Sequence, residues 1–260
     1  MNMKKTRIRL EPMSYAMTEE MKTLRTNILF CGNDKKVITV TSCVMGEGKT
    51  KISIRLAAAL AELRKKVLLI DADLRKSVMV SRLQATGVNK GMTHYLSGQC
   101  SLADVVMATN VPGLHIAFSG PYAPNPTELL GGERFKTTVE YLRTLYDYII
   151  IDAAPLGMVV DAAITAEYSD GAIMVMEAGS IKYKLAQNVK EKLESAGCPV
   201  LGAVFNKVDR KQSGRYYSKY YGKYYGENKG WAKKGEIEYS EYSNMSDDEL
   251  GRQIKDNLRR

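Results

Sequence analysis

The residues with the clearest chemistry lie in a glycine-rich loop, VTSCVMGEGKT at positions 40–50, between a β-branched run and a predicted helix. The loop's glycines allow backbone N–H groups to point at a phosphate, and the helix N-terminus adds partial positive charge. A lysine in such a loop can reach the β- and γ-phosphates, and a following hydroxyl can ligate Mg²⁺. The predicted nucleotide contacts are Gly46, Glu47, Gly48, Lys49, Thr50 and Lys51, although Cys43 stands where the usual pattern begins with glycine.

Three aspartates lie at the ends of two strongly apolar runs. Asp71 and Asp73 belong to VLLIDADLRK, residues 67–76, and Asp152 ends YDYIIID, residues 146–152. Open α/β folds bind ligands at the carboxyl ends of their strands, so we expect these carboxylates beside the glycine-rich loop. A strand-end aspartate can instead cap a turn or a helix, but three of them with a phosphate loop favour a magnesium–nucleotide site.

Short β-branched runs alternate with stretches of helical periodicity along most of the chain. The runs predict strands at about 36–42, 66–71, 113–120, 146–152, 171–177 and 199–206, and the periodic stretches predict helices at about 17–30, 49–64, 132–146, 160–168 and 182–196. Several runs are apolar at every position, which indicates strands covered on both faces. We therefore expect an α/β fold of the P-loop NTPase type, with a mostly parallel sheet and helices on both faces.

Length, composition and charge restrict the classes of protein that this sequence can encode. The chain has 260 residues, of which 45% are hydrophobic, and a formal charge of +9. This length fits one α/β domain with appendages, so we expect an N-terminal segment at 1–35, a core at 36–210 and a tail at 211–260. The four cysteines lack disulfide or zinc spacing. The sequence shows neither a run of about 18 apolar residues nor a secretory signal, so a cytoplasmic location is expected.

A tyrosine-rich segment follows the last predicted strand. RYYSKYYGKYYGE, residues 215–227, repeats tyrosine pairs among Lys, Ser and Gly, and aliphatic residues nearly vanish beyond Asn206. This composition cannot bury a core, so residues from about 210 to 245 are predicted to be disordered. The glycines also disfavour a helix that would hide the tyrosine hydroxyls.

Together these motifs resemble those of the bacterial tyrosine kinases of capsule and exopolysaccharide synthesis. SCVMGEGKT, LLIDADLRK and YIIID are similar to that family's Walker A, A′ and B motifs, EEMKTLRTNILF to its oligomerisation helix, and the tyrosine cluster to its autophosphorylation tail. Ser77 stands where the family commonly has proline, and Lys22 where its ExxRxxR motif has arginine. The resemblance covers nearly the whole chain and implies an ATP-dependent protein-tyrosine kinase that regulates capsule or exopolysaccharide synthesis.

A kinase of this kind would use these polar side chains for catalysis and for nucleotide binding. Asp71 is the expected general base, because a tyrosine hydroxyl with a pKa near 10 is a poor nucleophile at neutral pH. Lys49 is expected to hold phosphates, and Thr50, Asp73 and Asp152 are expected to hold Mg²⁺ directly or through water. Asn206 resembles the adenine-reading position of this fold, although it could equally form a turn. The predicted phosphate acceptors are Tyr216, Tyr217, Tyr220, Tyr221, Tyr224 and Tyr225.

The resemblance also implies partners. Glu19, Lys22 and Arg25 would contact a neighbouring subunit in a homo-oligomeric ring, although ion pairs within one helix explain the same spacing. A transmembrane adaptor of the polysaccharide co-polymerase type would complete the active site and recruit the protein to the inner face of the membrane. A cognate tyrosine phosphatase would reverse the reaction.

The sequence is also compatible with two other functions. A partitioning or cell-division ATPase shares this fold, but that class carries a signature lysine five residues before the loop lysine, where this chain has Val44. A nucleic-acid-binding protein could stack bases on the tail's tyrosines while Lys211, Arg215, Lys219 and Lys223 contact phosphates. Because the tail accompanies a site able to activate ATP, no nucleic-acid partner is expected.

Overall fold

The computed structural model describes residues 3–208, which contain one eight-stranded sheet in the order β1-β4-β5-β3-β6-β2-β7-β8. The strands are β1 (Lys4–Lys5), β2 (Val37–Ser42), β3 (Val67–Asp71), β4 (Val106–Ala108), β5 (Leu114–Ala117), β6 (Tyr148–Asp152), β7 (Gly171–Glu177) and β8 (Val200–Asn206). All neighbouring strands run parallel except β4 and β5, which are antiparallel.

Helices connect the strands and cover both faces of the sheet. They are α1 (Tyr15–Phe30), α2 (Lys49–Ala61), α3 (Met79–Leu83), α4 (Met92–Leu96), α5 (Pro126–Gly131), α6 (Glu133–Arg143), α7 (Asp161–Glu167) and α8 (Tyr183–Ser195), with a 3₁₀ helix at Leu102–Asp104. Among residues 3–208, no helix has both the length and the apolar character needed to cross a membrane.

The sequence of β6 explains why the sheet is covered on both sides. Ile150 packs into one hydrophobic cluster with residues of α1 and α2, whereas Ile149 and Ile151 pack into a second cluster with residues of α6. All three isoleucines are fully buried. Because successive side chains of a strand point to opposite faces, a strand between two helical layers needs apolar residues at every position.

The predicted fold class is confirmed, and the six predicted strands and five predicted helices lie within three residues of their expected bounds. The prediction missed β1, β4 and the short helices α3, α4 and α5, which contain too few residues to show a period. The predicted divisions at 35 and 210 stay predictions. The tyrosine-rich tail at 211–260 lies outside the described residues.

Candidate functional site

The glycine-rich loop joins β2 to α2 at the carboxyl edge of the sheet. Gly46 and Gly48 have φ of +86° and +94°, a conformation that residues with a Cβ rarely adopt. A Cβ on Gly48 would also lie 2.1 Å from Nδ2 of Asn206. Glycine at position 48 is therefore required both by the backbone conformation and by the close approach of β8.

The buried side chain of Glu47 stabilises this loop through hydrogen bonds. Its side chain is buried, and its two carboxylate oxygens accept hydrogen bonds from the backbone N–H of Val44 at 2.7 Å and from that of Glu177 at 3.0 Å. The first bond closes the loop on itself, and the second ties it to the end of β7. The Glu47 carboxylate is thus used within the protein, and nucleotide contact by Glu47 stays a prediction.

Asn206 and Lys51 lie beside the loop, and their side chains contact protein groups. Nδ2 of Asn206, at the end of β8, donates to the backbone oxygen of Glu47 at 2.8 Å. The Lys51 ammonium lies 3.5 Å from a carboxylate oxygen of Glu11. Purine recognition by Asn206 and nucleotide contact by Lys51 stay predictions.

Lys49 lies beside two of the three predicted carboxylates. Its Nζ donates to Oδ2 of Asp73 at 3.0 Å and lies 3.9 Å from Oδ1 of Asp152. Burial alone would lower the pKa of Lys49, but the charges of Asp152 and Asp73 outweigh it and the net pKa is raised. The ammonium is therefore charged and held where the loop presents its backbone N–H groups.

The Asp71 carboxylate is held at one of its two oxygens. Its Oδ2 accepts hydrogen bonds from the Ser77 hydroxyl at 2.5 Å and from the Ser119 backbone N–H at 3.3 Å. Its Oδ1 is buried and has no hydrogen-bond partner among the described residues. Burial and the neighbouring Asp152 charge raise the pKa of Asp71 to about 7. One oxygen is thus fixed, and the other is available to a proton or a ligand.

Asp152 is paired with Asp71 in the register of β6 and β3. Its Oδ1 accepts a hydrogen bond from the Ser53 hydroxyl at 3.0 Å, which connects β6 to α2. Burial raises the pKa of Asp152, against the opposing effects of the Lys49 charge and of the hydroxyls of Thr50 and Ser53. Two buried carboxylates, Asp71 and Asp152, thus lie on neighbouring strands, and only Asp152 is near the Lys49 ammonium, an arrangement that favours binding of additional positive charge.

The oxygen donors of this edge fit a nucleotide-bound Mg²⁺. Within residues 3–208, no group of three His, Cys, Asp or Glu side chains is placed to hold a metal by itself. Mg²⁺ in nucleotide sites takes one or two carboxylates and completes its coordination with water and phosphate oxygens. The Thr50 hydroxyl with Asp73 and Asp152 would meet that need, and Asp71 keeps one buried oxygen without a hydrogen-bond partner among the described residues.

Three serines that were not predicted support the carboxylates: Ser53, Ser77 and Ser119. Ser77 is the most informative, because its Oγ accepts from the backbone N–H of Met79 at 3.1 Å and donates to Oδ2 of Asp71. The only sequence signal for it was the departure from the family's usual proline. Arg75 pairs with the fully buried Asp161 through two hydrogen bonds of 2.7 and 2.9 Å.

The three predicted oligomerisation residues lie on α1. Lys22 donates to Glu19 at 2.8 Å within the helix. Arg25 reaches across to α2, where it donates to the backbone oxygen of Ala59 at 3.0 Å and to Glu62 at 3.3 Å. These contacts hold α1 on α2, and the predicted contact with a neighbouring subunit stays a prediction.

Known proteins are similar to this chain in sequence and in fold. The family model described as an AAA domain matches residues 35–189. Tyrosine-protein kinase CpsD of Streptococcus agalactiae serotype III is 47% identical over 193 residues, which are 74% of this chain and 83% of that protein. Tyrosine-protein kinase YwqD of Bacillus subtilis is 35% identical over 204 residues, which are 77% of this chain and 86% of that protein.

Solved structures agree with these relatives. The kinase domain of the Escherichia coli tyrosine kinase ETK has a TM-score of 0.69 and 30% identity, over 74% of this chain and 77% of that one. The septum site-determining protein MinD of Pyrococcus horikoshii, complexed with Mg-ADP, has a TM-score of 0.60 and 26% identity, over 67% of this chain and 71% of that one. The fold and the loop define a P-loop nucleotide-binding protein. Within that class, the chain belongs to the family of bacterial tyrosine-protein kinases.

Proposed function

We propose that this chain is an ATP-dependent protein-tyrosine kinase that phosphorylates its own C-terminal tyrosines and regulates capsule or exopolysaccharide synthesis. The observation that carries the proposal is the convergence of Lys49, Asp71, Asp73 and Asp152 at the phosphate loop, with one oxygen of Asp71 unpaired. The relatives named as tyrosine-protein kinases support the same activity.

The first task of the site is to hold the nucleotide. Backbone N–H groups from Gly46 to Thr50 would bind the phosphates at the start of α2. Lys49 would exchange its pairing with Asp73 for the β- and γ-phosphates, because a phosphate oxygen is the stronger charged acceptor. Thr50, Asp73 and Asp152 would hold Mg²⁺, which when bound neutralises charge on the phosphate oxygens.

The second task is to receive the proton of the acceptor tyrosine. The phenol oxygen bonds to the γ-phosphorus while the bond from that phosphorus to the departing ADP oxygen breaks, and the phenol proton passes to Oδ1 of Asp71. This oxygen is buried and unpaired, whereas Oδ2 is fixed by Ser77. In the nucleotide-free protein, burial and the Asp152 charge raise the pKa of Asp71 to about 7, which makes its carboxylate a stronger base than an ordinary aspartate.

The proposed acceptors are the six paired tyrosines at positions 216, 217, 220, 221, 224 and 225, all outside the described residues. Each phosphate adds about −1.5 to −2 charge, so modification at several positions would reverse the basic character of residues 211–234. The net charge of this segment would then depend on how many of its tyrosines are phosphorylated.

The proposed partners follow from family membership. A transmembrane adaptor of the polysaccharide co-polymerase type would recruit the chain to the inner face of the cell membrane and complete its site. Other copies of the chain would form a ring through Glu19, Lys22 and Arg25, and a tyrosine phosphatase would remove the phosphates. The proposal includes no nucleic-acid partner.

The competing function is a partitioning or cell-division ATPase, which the likeness to MinD favours. Such an ATPase would use the same phosphate loop and the same carboxylates. Against it, Val44 occupies the position of that class's signature lysine, and the relatives with the higher identities are named as tyrosine kinases. The tyrosine repeat also has no role in a partitioning or cell-division ATPase.

Mapping phosphates by mass spectrometry separates these functions. The purified chain is incubated with Mg-ATP, with and without the cytoplasmic segment of a candidate adaptor, beside a Lys49→Met variant. We expect phosphotyrosine between residues 216 and 225 in the wild type and none in the variant. ATP turnover without phosphotyrosine in either condition would establish the ATPase instead.

A further inference from the structure

The end of β8 contacts the phosphate loop through one side chain. Asn206, the last residue of β8, donates a hydrogen bond from Nδ2 to the backbone oxygen of Glu47 at 2.8 Å. A backbone oxygen can only accept, so the amide nitrogen of Asn206, and not its amide oxygen, must face it. No backbone N–H of residues 3–208 donates to this oxygen. The loop carbonyl at position 47 therefore relies on Asn206 for its hydrogen bond.

Asn206 is itself held by the neighbouring strand. Its backbone oxygen accepts from the N–H of Ala178 at 3.0 Å, and Asn206 is paired with Glu177 in the register of β7 and β8. The backbone N–H of Glu177 donates to the Glu47 carboxylate at 3.0 Å. The ends of β7 and β8 therefore hold Glu47 at two separate groups, its carboxylate and its backbone carbonyl.

The hydrogen bond from Asn206 sets the direction of one peptide plane in the loop. The peptide bond between Glu47 and Gly48 is trans, so its C=O and its N–H point in opposite directions. Because Asn206 holds the C=O toward β8, the N–H of Gly48 points away from β8. Glycine allows many backbone conformations at little cost, so this plane would rotate easily without the hydrogen bond. Asn206 thus restricts a peptide that the glycine would otherwise leave unrestrained.

The direction of this N–H matters because Gly48 is the residue immediately before α2. Gly48 has no side chain that could cap the helix, and the first N–H groups of a helix have no partner within it. Such N–H groups form an anion-binding site at the start of a helix. The N–H of Gly48 can join them only if the Glu47–Gly48 peptide keeps one orientation.

We propose that Asn206 is a positioning residue of the phosphate loop, which aims the N–H of Gly48 at the nucleotide phosphates by holding the carbonyl of Glu47. The inference rests on the proposed function, because that function supplies the nucleotide. In this role Asn206 acts through the loop and needs no contact with the purine. Its side chain therefore affects the binding of any ligand with a diphosphate group, whether or not that ligand carries a base.

The experiment measures binding of Mg-ADP and of Mg-pyrophosphate to the full chain by calorimetry, in the wild type and in Asn206→Ala. We expect the variant to bind both ligands about fivefold more weakly, which is the usual effect of one lost hydrogen bond. A loss for ADP with unchanged pyrophosphate binding would overturn the proposal, because Asn206 would then act on the purine. Neither ligand carries a transferable γ-phosphate, so a chain without kinase activity would still give the expected result.

A control variant and a spectrum separate positioning from a general loss of structure. Asn110→Ala removes another asparagine side chain that bonds to the backbone, at 2.7 Å from the N–H of Ile8, and should leave both affinities unchanged. In ¹⁵N–¹H spectra, saturating Mg-pyrophosphate should move the Gly48 amide proton downfield in the wild type and clearly less in Asn206→Ala, because hydrogen bonds to charged oxygens are strong. Equal losses of affinity in both variants, or an equal Gly48 shift with and without Asn206, would overturn the proposal.

Discussion

Replacing Asp71 by asparagine should stabilise the nucleotide-free protein at alkaline pH. Asp71 is 1% exposed, keeps one oxygen without a partner and faces Asp152 across neighbouring strands. Its ionised form is therefore costly to bury, which is the reason that its pKa rises from the ordinary 3.8 to about 7. An amide of the same shape carries no charge and avoids this cost.

The size of the effect follows from the pKa values. The carboxyl is ionised in the unfolded chain above pH 3.8 but stays protonated in the folded chain up to about pH 7, so the folded state is penalised increasingly across this window. A shift of roughly three pKa units corresponds to about 4 kcal/mol above pH 7 and to less than about 2 kcal/mol at pH 5. Burying the extra N–H donors of asparagine costs about 1–3 kcal/mol at every pH.

The assay is urea unfolding of the wild type and Asp71→Asn at pH 5 and pH 8, with EDTA and without nucleotide. The variant's free energy of unfolding, relative to the wild type, should be about 2–3 kcal/mol higher at pH 8 than at pH 5. A relative stability that does not change between the two pH values would refute the reasoning, because the constant cost of the amide cancels in this comparison.

Asp104→Asn is the matched control with the opposite sign. Hydrogen bonds from the Lys4 ammonium and from Ser101 lower the pKa of Asp104, which lies at the surface. This carboxylate therefore stabilises the fold above its unfolded pKa, and the contribution is lost as the pH falls through its folded pKa. Its asparagine variant should be slightly less stable than the wild type at pH 8.

Three further changes test other parts of the site. Ser77→Ala removes a hydrogen bond that lowers the pKa of Asp71, so the pH midpoint of autophosphorylation should rise by about one unit, and Ser77→Thr should restore it. Glu47→Gln turns one buried acceptor into a donor facing a backbone N–H, so urea unfolding should show a loss of ~1–3 kcal/mol and nucleotide titration a weaker affinity. Gly157→Ala would place a Cβ 2.0 Å from the carbonyl oxygen of Cys43, so thermal unfolding should show a loss of at least ~1–3 kcal/mol.

The fold was predictable where the sequence repeats a local rule. A run such as YIIID can be buried on both faces only between two helical layers, and the helical stretches between such runs indicate parallel strands. The antiparallel pairing of β4 with β5 was not predictable in this way. β4 has three residues, so its place depends on contacts with distant chain that leave no periodic signal.

The grouping of Lys49 with Asp73 and Asp152 could be predicted from residue types in the loop and at the strand ends, whereas the side chains that support this group could not. Lys49 is expected from the glycine-rich loop and Asp152 from the end of its strand, because ligands of open α/β folds bind at the carboxyl ends of the strands. The burial of the Glu47 carboxylate against β7 depends on a partner 130 residues away. Serine and glutamate are common at exposed positions, so neither the type nor the spacing of Ser77 and Glu47 indicates a buried partner.

The most direct test of the account follows radioactive phosphate from γ-labelled Mg-ATP into three proteins: the wild type, Lys49→Met, and a variant whose six paired tail tyrosines are phenylalanine. We expect phosphotyrosine in the wild type alone, with the phenylalanine variant still binding ATP. Label in the phenylalanine variant equal to that in the wild type, or ATP hydrolysis by the wild type with no labelled tyrosine, would contradict the assignment of these tyrosines as the acceptors of this site.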